Sequence, residues 1–192
     1  MTSQLKKEII RAAQEFNLDA AVLLAFIEVE TGGQGFDSAT GKIMIQFEPS
    51  WFKKNAPYAP SGLWSVNKVE KQAKEWAAFN DAYSKNKQAA LLSTSIGLGQ
   101  IMGFNFVYAG HKNVNEMWDE AKKSLYHQVI QICNFIKNYP GLLSAIKSKN
   151  WDKIATLYNG AGYKKLAAQY GREPYDKSLE KAYNKYKLTI YD

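Results

Sequence analysis

The sequence is poor in the residues on which several classes of protein depend. Its one cysteine, Cys133, excludes an internal disulfide and is interpreted as a buried structural thiol. It has two histidines, His111 and His127, and neither HExxH nor CxxC, so we expect no metal and no cofactor. The longest apolar run, residues 20–27, is too short to span a bilayer, and the first residues lack the pattern of a signal peptide. We therefore expect no stable membrane insertion and synthesis in the cytoplasm.

The composition is that of an ordinary globular protein with a basic surface. Hydrophobic residues make up 46% of the 192 residues and charged residues 22%. The net charge of +7 favours an anionic partner, such as nucleic acid, a membrane surface or an acidic cell wall. The lysines are scattered and follow no groove-binding pattern, so a solvated basic surface is an equally good interpretation and nucleic acid is not expected.

Apolar residues recur at helical spacing along most of the chain. Residues 5–16 and 20–31 are predicted helices, capped by Thr2 or Ser3 and by Asp19. The second is apolar on nearly every side, which is typical of a helix buried in the middle of a domain. The other predicted helices cover residues 50–54, 75–83, 87–93, 114–123, 126–138, 142–147, 151–157 and 175–186.

One short strand interrupts this helical pattern. Residues 43–47 alternate as a strand does, and a glycine-rich apolar segment follows later at residues 95–103. Residues 55–65 are predicted as a loop, and Asn67 with Glu70 resembles a capping box. The sequence therefore predicts one mainly α (α+β) domain over residues 1–192, with a small β-hairpin insertion after the second helix and no separate wall-binding module.

Two carboxylates end the buried second helix beside a run of glycines. A glutamate in an apolar setting has a raised pKa, which is what a general acid for glycosidic bond cleavage requires. Glu28 and Glu30 both lie on apolar rows, so spacing leaves the choice open, and both could simply be solvated at a helix end. Glu48, directly after the strand, is a candidate second carboxylate, with Asp37 a weaker one. Glu48 could instead only initiate the helix that begins at Pro49.

Several segments resemble the N-acetylmuramidase family of phage endolysins. They are Val-Glu-Thr-Gly at residues 29–32 with Gln-Gly-Phe at 34–36, the segment 41–48 that ends in Phe-Glu, the glycine-rich Gln-Ile-Met-Gly motif within 95–105, Tyr-Asn-Gly at 158–160, and Tyr-Asp-x-x-Leu at 175–179. Their order matches the family from about residue 5 to residue 186. The same three-part pattern, a glutamate before small residues, a Gly-x-x-Gln loop and a Tyr-Asn-x-Gly turn, also resembles goose-type lysozymes and lytic transglycosylases. The chain has Ile96 where the family often has tryptophan, which would weaken one sugar contact.

The resemblance implies a lysozyme-like fold and cleavage of the bond between N-acetylmuramic acid and N-acetylglucosamine in peptidoglycan. It assigns the catalytic acid to Glu30 rather than Glu28, with Glu48 as its partner. The substrate-binding residues that it implies are Gln100, Tyr158, Asn159, Gly99 and Met102, and the alternative for the glutamine, tyrosine and asparagine is loop anchoring. Trp51, Trp64, Tyr58 and Tyr108 could stack on sugar rings or serve the core.

The expected partner is the glycan strand of peptidoglycan, and we expect the protein to bind it as a monomer. The expected setting is storage of a phage enzyme in the host cytoplasm until the membrane is permeabilised. The alternatives are a lytic transglycosylase, which forms anhydro ends without water, a catalytically inactive wall-binding module, and a nucleic-acid-binding domain suggested only by charge.

Overall fold

The computed structural model describes residues 1–69 and 71–189 as a largely helical protein with one small sheet. The helices are α1 (Ser3–Phe16), α2 (Ala20–Thr31), α3 (Pro49–Asn55), α4 (Gly62–Val66), α5 (Gln72–Lys85), α6 (Lys87–Leu92), α7 (Val114–Lys123), α8 (Leu125–Asn138), α9 (Leu142–Lys147), α10 (Trp151–Tyr158), α11 (Tyr163–Gln169) and α12 (Tyr175–Thr189). Within these ranges no helix combines the length and the hydropathy needed to cross a bilayer. The mainly α (α+β) class predicted from the sequence is confirmed.

The first two helices have the ends and the burial that the sequence predicts. Thr2 accepts the Leu5 amide at the start of α1, and Asp19 accepts the Ala21 amide at 3.0 Å at the start of α2. Residues 21–27 of α2 are all buried, because the helix packs against α1 and α12 and is enclosed by the hydrophobic core. The last turn of α2 lies beyond this buried stretch, where the helix leaves the core and reaches the surface.

The sheet joins two distant parts of the chain. Strand β1 (Ile45–Phe47) pairs antiparallel with β2 (Thr94–Ile96), which in turn pairs with β3 (Ile101–Met102). An isolated bridge between Phe36 and Ile43 precedes β1. The strand therefore begins two residues later than predicted. The glycine-rich segment predicted as a loop forms a hairpin, because β1 gives it a partner for its backbone hydrogen bonds.

Between residues 55 and 169, two local predictions are wrong and one helix was not anticipated. The predicted loop 55–65 includes the start of α4, which forms because Asp81 accepts the Trp64 amide at 3.0 Å and Trp64 is buried against Phe52. Asn67 does not cap the start of α5, whose N-cap is Lys71; it follows the end of α4 and donates to the Phe47 carbonyl at 3.0 Å. Its supposed capping partner, Glu70, lies outside the described residues. Helix α11 was not predicted after the turn at 158–163. Tertiary packing decides each of these short segments.

Two side chains of α8, Cys133 and Gln128, are buried in the core, and the second of them holds two loops. Cys133 is buried, as predicted, and burial raises the pKa of its thiol to about 12. Gln128 accepts the Leu98 amide at 2.9 Å and donates to the carbonyls of Ala121, at 2.9 Å, and Gly35, at 3.3 Å. This one amide therefore ties the segment that follows α2 to the glycine-rich loop.

We predict that Gln128→Ala destabilises the protein by about 2–4 kcal/mol, because it leaves three buried backbone groups without their partner. Urea denaturation measures the change. Gln88→Ala, on the exposed face of α6, is the matched control and should change stability by less than about 0.5 kcal/mol. Equal effects of the two substitutions would contradict this role of Gln128.

Candidate active site

Glu30 lies in the last turn of α2, half-buried where the helix leaves the core. The Tyr175 hydroxyl, from the start of α12, donates a short hydrogen bond to Glu30 Oε1. Burial raises the pKa of the Glu30 carboxyl to about 7, although the bond from Tyr175 opposes this increase. A carboxyl with such a pKa is largely protonated in mildly acidic solution and ready to donate a proton.

Glu28, two residues earlier, has different surroundings. Lys185 Nζ lies 2.9 Å from both of its oxygens, and the Tyr186 hydroxyl donates a third hydrogen bond. Partial burial would raise the pKa of Glu28, but these hydrogen bonds and the lysine charge outweigh it and hold the pKa below its ordinary value. Glu28 is therefore an ionised structural residue, which supports Glu30 as the acid of the two.

Two stacked tyrosines link Glu30 to the glycine-rich loop. The rings of Tyr158 and Tyr175 are nearly parallel, with centroids 6.4 Å apart, and Tyr158 also packs on Phe26 of α2. The Tyr158 hydroxyl donates to the Gly99 carbonyl at 2.8 Å. Burial raises the pKa of both tyrosines well above the ordinary value, so both hydroxyls remain donors.

The partner of Glu30 is a residue that sequence reasoning missed. Tyr158 and Asn159 are the polar residues that the resemblance implies at the site, as contacts of the substrate or as positioning residues of Glu30, whereas the hydrogen bond to this carboxyl comes from Tyr175. The only signal for Tyr175 was its place in the Tyr-Asp-x-x-Leu motif. Asn159 is exposed at the end of α10.

Glu48 lies on the sheet, at the end of β1. It shares a face with Gln46, because side chains two positions apart on an extended strand point the same way. Gln46 Nε2 donates to Glu48 Oε1 at 2.6 Å. Burial raises the pKa of Glu48, with a smaller increase from the charge of Glu75, while the Gln46 bond lowers it. Glu48 is thus a partly desolvated carboxyl that the Gln46 side chain holds through one hydrogen bond.

The glycine-rich loop continues this polar face. Ser95 lies between Gln46 and Met102 in the register of the sheet, and its hydroxyl donates to Gln100 Oε1 at 2.9 Å. Gln100 has a left-handed backbone, with φ 46°, and its amide nitrogen donates to the Gly97 carbonyl at 2.8 Å. These contacts anchor the loop, and one amide hydrogen of Gln100 stays available for a ligand.

Gly99 fits tightly among the helices of the core. A Cβ at this position would lie 2.5 Å from the Ile132 side chain and 3.0 Å from the Tyr158 hydroxyl. Any larger residue would push the loop away from Tyr158. Gly99 therefore keeps the loop close to Tyr158 through its small size and through its carbonyl, which accepts the Tyr158 hydroxyl. Met102 has a half-buried side chain on the same face of the sheet as Ser95.

The remaining candidates from the sequence have other contacts. Asp37 accepts the amides of Ala39, at 2.8 Å, and Thr40, at 2.9 Å, so its carboxylate forms a turn. Trp64 is buried and Tyr108 is half-buried against other rings, whereas Tyr58 and Trp51 are exposed. These contacts support Glu48 over Asp37 as the second carboxyl, and Trp64 as a core residue.

A groove opens beside Glu30. It has a volume of 590 Å³, and Val29, Tyr175 and Asn159 form its inner wall. Glu30 is not itself among the lining residues, but Val29 precedes it in the chain and Tyr175 hydrogen-bonds to it, so the groove lies next to the residues that hold the raised-pKa carboxyl.

A helical fold with a small sheet, and a desolvated carboxyl at the end of its central helix, define a lysozyme-like glycoside hydrolase. A model of the N-acetylmuramidase family matches residues 19–187, so the chain belongs to this family of peptidoglycan-degrading enzymes. It is also similar to the Burkholderia AP3 phage endolysin, with 30% identity and a TM-score of 0.78 over 96% of this chain and 70% of that one. No curated protein sequence matches significantly.

We predict that Tyr175→Phe moves the alkaline limb of the pH profile of kcat/KM upward by about one pH unit. The hydroxyl stabilises the charged form of Glu30, so removing it raises the pKa of the acid and keeps it protonated to higher pH. Initial rates of peptidoglycan cleavage between pH 4 and pH 9 give the profile.

Tyr158→Phe is the control for this shift. It removes a hydroxyl that binds Gly99 rather than Glu30, so the alkaline limb should stay where it is in the wild type. A limb that stays in place in the Tyr175 variant as well would contradict the assignment of Tyr175.

Proposed function

We propose that Glu30 is the general acid of this N-acetylmuramidase and that Glu48 is its second carboxyl. The observation that carries the proposal is the desolvated Glu30 carboxyl, with a pKa of about 7, held by Tyr175, which itself lines the groove. The substrate is the β-1,4 bond between N-acetylmuramic acid and N-acetylglucosamine in the glycan strand.

The proposed reaction begins with Glu30 in its neutral form. Its proton passes to the glycosidic oxygen as that bond breaks and the sugar ring takes on oxocarbenium character. Tyr175 is a positioning residue, because its hydroxyl fixes one carboxyl oxygen of Glu30 and leaves the other for the substrate. Because the pKa of both tyrosines lies well above that of Glu30, their hydroxyls are much weaker acids and do not compete with it.

Glu48 acts on the positive charge that develops at the anomeric carbon. In its ionised form it either stabilises this charge or activates a water on the opposite face of the sugar. The bond from Gln46 favours the ionised form and orients it. Gln100, Asn159 and Met102 are proposed substrate contacts, and Gly99 and Tyr158 hold the loop that presents Gln100.

The proposed biological role is lysis of a bacterial host by a phage. It is supported by membership of the N-acetylmuramidase family and by the similarity to a phage endolysin. We propose that the protein accumulates in the host cytoplasm as a monomer, binds no nucleic acid and meets peptidoglycan once the membrane has been permeabilised.

We predict that Glu30→Gln lowers kcat about 100-fold or more, because the amide cannot donate a proton to the leaving oxygen. Clearing of purified cell walls and release of reducing ends measure the loss. Glu28→Gln is the matched control on the same helix, and its activity should stay within about two-fold of the wild type, since its ion pair with Lys185 lies outside the reaction. Equal activity of the Glu30 variant and the wild type would exclude Glu30 as the acid.

We predict that the products carry reducing N-acetylmuramic acid ends, as hydrolysis requires. Mass spectrometry of a complete digest separates these products from 1,6-anhydromuramic ends, which are lighter by one water. Anhydro ends as the main product would show that the enzyme is a lytic transglycosylase and contradict the proposed reaction, although not the role of Glu30 as the acid.

A further inference from the structure

The groove beside Glu30 has walls from three separate parts of the chain. Its far wall is formed by α11, and its outer edge by Lys68 and Val69 from the segment between α4 and α5. Asn67 holds the start of this segment against the end of β1, through its bond to the Phe47 carbonyl. The groove therefore extends from Lys68 and Val69 across Tyr175 to α11.

Two cations at the rim of this groove have no carboxylate partner among the residues that the structure describes. Lys68 and Arg172 form no ion pair with any residue in ranges 1–69 and 71–189, and both are exposed. The Arg172 guanidinium lies over the Tyr170 ring, 5.3 Å from its centroid. The acidic residue of the lining, Glu173, is already engaged by the Ser178 hydroxyl at 3.1 Å and by Lys181 at 3.9 Å. Within the described ranges, the positive charges of the groove are thus not compensated by an ion pair.

Apolar side chains stand exposed between these cations. Val69 is 70% exposed, Tyr170 58% and Leu166 53%, and all three line the groove. Scattered exposed hydrophobic residues need no explanation, but three around one basic groove form a surface that suits a ligand with both aliphatic and acidic groups. A glycan strand without stems has no aliphatic amino-acid side chains, and its carboxylates are limited to the lactyl group of each N-acetylmuramic acid.

We propose that this groove binds the peptide stem of peptidoglycan. Arg172 and Lys68 bind carboxylates of the stem, and Val69, Leu166 and Tyr170 contact its aliphatic side chains. The inference rests on the proposed function, because it takes N-acetylmuramic acid as the sugar next to Glu30. This sugar carries the stem on its lactyl group, so a stem attached near the cleaved bond emerges beside Tyr175, where the groove begins.

The test compares two substrates that differ only in their stems. One is a soluble glycan strand with uncrosslinked stems. The other is the same strand after an amidase has removed the stems and the lactyl carboxylates that this exposes have been converted to methylamides. Arg172→Ala and Lys68→Ala should each lower kcat/KM about three- to ten-fold on the first substrate and change it by less than about two-fold on the second. Arg11→Ala, which removes the chain's other arginine from α1, should have no such selective effect.

Binding gives a readout that does not depend on turnover. In a Glu30→Gln background, isothermal titration with the stem-bearing strand should show weaker affinity when Arg172 is replaced by Ala, and titration with the stripped strand should not. Equal losses on both strands, or no loss on either, would overturn the stem-binding proposal. Full activity of the Glu30 variant would instead refute the proposed acid and leave the stem comparison readable.

Discussion

The structure depends on one unfavourable arrangement. The Glu30 carboxyl is held at the C-terminal end of a buried helix, where its charged form is poorly solvated. The pKa of Glu30 rises from 4.5 to about 7, so the folded state holds a proton that the unfolded state has lost between these values. The free energy of unfolding therefore falls by up to about 3 kcal/mol as the pH rises through this window. Below pH 4.5 Glu30 is protonated in both states, so its titration no longer changes stability. The protein tolerates this cost because the same desolvation makes Glu30 an acid near neutral pH.

The rest of the fold keeps Glu30 in this position. The core encloses residues 21–27 and so fixes the axis of α2. Tyr175 holds the carboxyl, Tyr158 stacks on Tyr175 and reaches Gly99, and Gln128 fastens the same loop from α8. Elements far apart in sequence therefore meet at one carboxyl. The contrast with Glu28, whose charge is neutralised by Lys185, shows that the neighbours and not the helix itself decide the role of each glutamate.

The sequence predicts what depends on local pattern. The bounds of α2, its Asp19 cap and the burial of residues 21–27 follow from one apolar run and one capping residue. It could not predict α4, which depends on a bond from Asp81, or the β2–β3 hairpin, which depends on pairing with β1. It also left Glu28 and Glu30 equivalent, and only the motif resemblance separated them. The physical difference is a pair of hydrogen bonds from α12, about 150 residues away, which no local pattern encodes.

The most direct test of this account is the titration of Glu30 itself. NMR of protein labelled with ¹³C at the glutamate carboxyls, with the signal assigned by its loss in Glu30→Gln, follows each carboxyl between pH 3 and pH 9. The account predicts a midpoint of about 7 for Glu30, and a midpoint below 4.5 for Glu28 in the same spectra. A midpoint for Glu30 near 4.5 would show a well-solvated carboxylate and contradict the central claim.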